Sequence, residues 1–73
     1  MPLQIIMDAE GDTRHSFDSA DDAAVAEAEA RFRMLTGKGY RAVRLAAGQT
    51  GVVLKTFDPT AEETLFIPQP RGG

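Results

Sequence analysis

Hydrophobic positions along the chain change their period twice. Leu3-Gln4-Ile5-Ile6-Met7 alternates, putting Leu3, Ile5 and Met7 on one side, the period-two pattern of a half-buried strand. Ala9-Glu10-Gly11-Asp12 follows, and Gly11 supplies the positive φ that a tight reversal needs. Thr13-Arg14-His15-Ser16-Phe17 alternates again, so the two stretches predict an amino-terminal hairpin. The period then becomes helical over 20–36, where Ala24, Val25, Ala28, Phe32 and Leu35 share one stripe. Ser19 with Asp22 forms a variant capping box at its start, and Gly37 is placed to end it. The outer face offers Glu27 with Arg31 and Glu29 with Arg33, both in the favourable order one turn apart.

Beyond the helix the strand period returns. Tyr40-Arg41-Ala42-Val43-Arg44-Leu45 predicts a short strand, Ala46 to Gly51 turn material, and Val52 to Phe57 a β-prone run. Asp58-Pro59 starts a turn that permits one short helical turn, and Thr64-Leu65-Phe66-Ile67 predicts a last strand. One amphipathic helix must then cover one face of a mixed sheet of four or five strands. The expected core is Leu3, Ile5, Val25, Ala28, Phe32, Leu35, Leu65 and Ile67, joined by Val43 and Leu45 or else by Ala42. Phe66, of opposite parity, either faces outward as a partner anchor or packs under a loop. Pro68 and Pro70 end the strand and bias their predecessors to extended geometry, so 68–73 read as an arm leaving a domain of residues 1–67.

Composition narrows what such a fold can do. The chain has 73 residues, 42% of them hydrophobic, which suits a single compact core. Eight Lys and Arg against eleven Asp and Glu leave a net charge of −3, the wrong sign for a nucleic-acid surface. With no cysteine there is no disulfide framework, thiolate metal site or cysteine nucleophile. No apolar run approaches the roughly 20 residues of a membrane span, and Met1-Pro2-Leu3-Gln4 opens no signal peptide, so a cytoplasmic protein is expected.

Catalysis is poorly provided for, and the expectation is a protein that is not an enzyme and holds no cofactor or metal. His15 stands between polar neighbours without partner ligands. Asp18, Asp21 and Asp22 fit no calcium loop and are read as helix-capping acids. The glycines at 37, 39, 48 and 51 match no nucleotide-binding fingerprint. Lys38 and Lys55, the only lysines, read first as ordinary solvated charges.

Length, element order and the carboxyl end together resemble the ubiquitin-like β-grasp family, with order ββαββ, a short helical turn, and β. The most specific stretch is Glu62-Glu63-Thr64-Leu65-Phe66-Ile67 followed by the arm and Arg71-Gly72-Gly73, which is similar to the end of ubiquitin. The Ala-rich helix and the Pro68-Gln69-Pro70 segment depart from ubiquitin, and the chain looks like a bacterial ubiquitin-like protein. That resemblance implies a modifier whose Gly73 carboxylate is adenylated with ATP by an activating enzyme. A conjugating enzyme would then join it to amines of target proteins, and a JAB-type peptidase would remove it. It further implies that Pro68, Gln69, Pro70 and Arg71 are recognised by a dedicated activating enzyme; any chain built on this protein would then have to use Lys38, Lys55 or the amino terminus.

The chemistry suits the residues. A carboxylate must be activated before it forms an amide, and two terminal glycines without Cβ can thread a narrow catalytic channel. A proline-stiffened arm loses less entropy on docking, and a guanidinium is readily gripped by acids. Two other functions remain open at this point. One is a sulfur carrier of the molybdopterin or thiamine type, which shares the fold and the glycines but forms a thiocarboxylate. The other is a non-covalent interaction module.

Overall fold

A computed structural model describes residues 1–69. Strands β1 (Leu3–Asp8) and β2 (Gly11–Ser16) form the expected antiparallel hairpin, with Asp8 opposite Gly11. Gly11 takes φ 127°, which a side chain would resist, and the Asp8 carboxylate accepts the Glu10 N–H at 2.8 Å to close the turn.

Helix α1 (Asp22–Gly37) starts later than the 20–36 expectation because Asp21, not Ser19, is its cap. The Asp21 carboxylate accepts the N–H groups of Ala23 and Ala24 at 3.0 and 3.3 Å. A carboxylate does this and also meets the positive end of the helix dipole, which a hydroxyl cannot. At the other end Lys38 is the cap residue, its N–H donating to the carbonyls of Met34 and Leu35 at 3.1 Å. Gly39, not Gly37, takes the positive φ just beyond, at 100°.

Strand β3 (Tyr40–Leu45) has its expected bounds, whereas β4 (Val52–Leu54) stops before the predicted Phe57. The chain bends after Leu54 so that Phe57 packs against Phe32 and Phe17, with ring centroids 5.9 and 6.2 Å apart. Asp58 to Ala61 makes a turn closed by the Ala61 N–H on the Asp58 carbonyl at 3.2 Å, and no helix forms there. The last strand, β5 (Glu63–Pro68), runs one residue further at each end than expected.

The five strands form one sheet in the order β2-β1-β5-β3-β4, with β5 parallel to β1 and antiparallel to β3. The protein is thus a small α+β fold, one helix on a five-stranded mixed sheet, a layout compatible with a β-grasp.

Which side of the sheet the helix covers overturns part of the expected core. Ile6, Phe66, Ala42 and Leu54 lie in one cross-strand row, and this row packs against Phe32 and Leu35 of α1. Phe66 is fully buried, its ring 5.8 Å from that of Phe32. The outward, partner-anchoring placement of Phe66 is therefore wrong. Leu3, Leu65 and Ile67 point away from the helix, and Ile67 is 37% exposed. Ile5 also lies on that far side, yet it is shielded there by its neighbours to 9% exposure. Ala28, Phe32 and Leu35 are buried as expected, Val25 is only half-buried, and Ala42 settles the parity of β3.

The physical reason is a polar residue acting as a core residue. Gln4 is 1% exposed; its amide donates to the Ala28 carbonyl at 3.0 Å and accepts from the Arg31 guanidinium at 2.7 Å. Those bonds make burial of the amide tolerable and tie β1 to α1. Arg31 is thereby diverted from Glu27, while Arg33 does pair with Glu29 at 3.2 Å.

Candidate functional site

Because β5 is the central strand, the chain leaves the sheet between β1 and β3, flanked on both sides by ordered backbone. Pro68 is the last strand residue and lies opposite Tyr40; Ile67 lies opposite Arg41. Proline is tolerated there because it ends the ladder, where its missing N–H is not required. Gln69 follows, exposed, on the rim of an open depression of about 310 Å³ shared with Thr36, Tyr40, Arg41 and Lys55. Of the proposed recognition segment, Pro68 and Gln69 are therefore placed. Pro70, Arg71, Gly72 and Gly73 lie outside the described residues.

Both lysines are exposed and gather near this exit. Lys38 caps α1 two positions before Tyr40, and Lys55 follows β4 directly, beside Arg41 in the depression. None of the three ion pairs among the described residues engages Lys38, Arg41 or Lys55. Sequence reasoning passed over Arg41 and Tyr40 as sheet residues. What marks them is register, since they are the residues that β5 passes last.

Toward the opposite end of the sheet, the loop after β4 is held by Asp58. Its carboxylate accepts the hydroxyl and N–H of Thr60 at 2.6 and 2.9 Å and lies 3.4 Å from the Arg44 guanidinium. The Thr60 bonds first, and Arg44 after them, hold this carboxyl below its ordinary value. The arrangement fixes the approach to β5, and it presents no nucleophile with a base.

His15 is half-buried on β2, and Asp18, Asp21 and Asp22 are exposed around the helix start. Asp18 closes a turn on the Ala20 N–H at 2.9 Å, and Asp21 caps the helix. Among the described residues no group of three His, Cys, Asp or Glu is placed to hold a metal ion. Nor is any helix among them long and apolar enough to cross a membrane.

A second feature is the sheet face that α1 leaves uncovered. Ile5, Leu65, Val43 and Val53 form a cross-strand row there, with Ile67 and Met7 exposed near the exit. Aliphatic side chains in contact across four strands shield one another, which keeps Ile5 buried without a covering layer. Comparison with protein-family models, with curated proteins and with solved structures gives no match to this chain.

Proposed function

We propose that this protein is a ubiquitin-like modifier, ligated through the Gly73 carboxylate to amines of other proteins. The observation that carries the reading is where the arm begins. A central strand, held between β1 and β3, runs straight into Pro68-Gln69-Pro70-Arg71-Gly72-Gly73. Such a rigid base presents a narrow, proline-spaced segment at a defined point, the geometry an enzyme channel requires of a protein substrate. The strand order β2-β1-β5-β3-β4, with its parallel β1–β5 pair, supports a ubiquitin-like arrangement of the sheet.

In this reading an activating enzyme adenylates the carboxylate with ATP and passes it on as a thioester, and a conjugating enzyme completes the amide. A JAB-type peptidase reverses it. This chain supplies no catalytic group. Its own contribution is a carboxylate that can enter a channel and two cations, Arg71 in the arm and Arg41 opposite Ile67 at the strand exit, for acidic residues at the channel mouth. Any chain formation would use Lys38 or Lys55, both exposed beside the exit, or the amino terminus.

The test is intact-mass measurement after incubation with ATP and candidate activating and conjugating enzymes from the same cells. A thioester or amide adduct that disappears when Gly73 is deleted supports the modifier. A mass gain matching one oxygen replaced by sulfur assigns the protein to sulfur delivery instead. An unchanged mass leaves a non-covalent interaction module.

A further inference from the structure

The two ends of β5 carry opposite charge. At the exit stand Lys38, Arg41 and Lys55, all without ion-pair partners among the described residues. At the start stand Glu62 and Glu63, equally unpaired, at the floor and rim of an open cleft of about 720 Å³. The floor is set by register: Leu3, Glu63 and Leu45 lie side by side across β1, β5 and β3. Pro2 and Ala46 extend the apolar wall. A half-buried carboxylate between two leucines is a poor place for an unpaired charge and a good one for a guanidinium carried on an apolar, extended segment. The volume falls within the roughly 300–1,000 Å³ of sites that hold small ligands.

We propose that this cleft receives the carboxyl-terminal segment of a second copy, with Arg71 of one chain on Glu62 and Glu63 of the next. The chain cannot satisfy its own cleft. From Gln69 back to Glu63 is a run of six strand residues, about 20 Å, whereas Arg71 stands two residues beyond Gln69, at most about 7 Å of backbone. The contact is therefore intermolecular and head to tail. The basic exit end is carried toward the acidic start of the neighbour, so the charge on the folded bodies reinforces the tail contact. Because cleft and tail are different surfaces, the contact does not close on itself and repeats with each added copy. It covers a small area and is a weak association.

This inference needs only the cleft and the tail, and stands or falls apart from the modifier reading. Sedimentation equilibrium of the full chain at low salt, from about 10 µM to 1 mM, spans the range in which such small interfaces assemble. The expected result is an average mass that keeps rising past the dimer, and falls toward the monomer as salt is added. A chain ending at Gln69 should remain monomeric. Glu62→Arg and Arg71→Glu should each weaken association about fivefold, and the two together should restore it. Glu62 is exposed, so its exchange removes no core contact. A monomer throughout, a plateau at a closed dimer, or association indifferent to truncation overturns the proposal.

Discussion

The two faces of one sheet are built on different terms. The face under α1 buries Phe66 and Ala42 completely, and it also buries Gln4 and Thr64, which are polar. The open face is almost wholly aliphatic along Ile5, Leu65, Val43 and Val53, yet Val53 is 52% exposed. Hydrophobicity by residue type would assign these faces the other way round. What decides between them is partners: an aromatic ring finds the Phe32 ring of α1, and an amide finds a carbonyl and a guanidinium. An aliphatic residue needs no such partner and can stay at the surface without stranding a polar group.

The largest effect expected from this contrast is at Phe66. Phe66→Ala should cost about 3–5 kcal/mol in denaturant unfolding, whereas Ile67→Ala, one residue along on the other face, should cost much less. Equal losses would mean that the two faces had been assigned wrongly. Next comes Gln4. Gln4→Ala should cost about 1–3 kcal/mol by leaving the Ala28 carbonyl and Arg31 without a partner. The same change in an Arg31→Ala background should be milder, which a double-mutant cycle measures. Smallest is Val53→Thr on the open face, within about 0.5 kcal/mol of the parent.

The Asp58 carboxyl adds a pH axis. Its value in the folded protein is lowered below 3.8, first by Thr60 and then by Arg44. The stability it contributes is therefore fully present above 3.8 and is lost as pH falls through the lowered value. Asp58→Asn should be less stable than the parent near neutrality, and the gap should narrow in acid-unfolding curves.

Most of the element order was legible in the sequence, because periodicity and turn residues act locally: Gly11 reverses the hairpin and β3 falls where its pattern places it. The helix bounds shifted for an equally local reason, since several acids and two glycines compete for the caps and only one of each wins. The facing of β1 and β5 was not legible. Leu3-Gln4-Ile5-Ile6-Met7 and Thr64-Leu65-Phe66-Ile67 carry apolar residues at both parities, so alternation cannot choose a side. The choice came from a contact twenty-four positions away, Gln4 to Ala28, that no local window contains. Arg41 and Tyr40 at the exit escaped for the same reason, being brought there by β3–β5 pairing alone. The end proposed to be ligated, Arg71-Gly72-Gly73, was legible as residues from the outset, and the proposal rests on them.

That reading has a direct test in cells, because Arg71 places a tryptic cleavage site just before the two glycines. Digestion of proteins joined to this chain should leave a diglycyl remnant on their lysines, found by peptide mass spectrometry. The account predicts such remnants in the native cells making the intact chain, and none when Gly73 is deleted. Intact chain and active enzymes with no diglycyl lysine would contradict it.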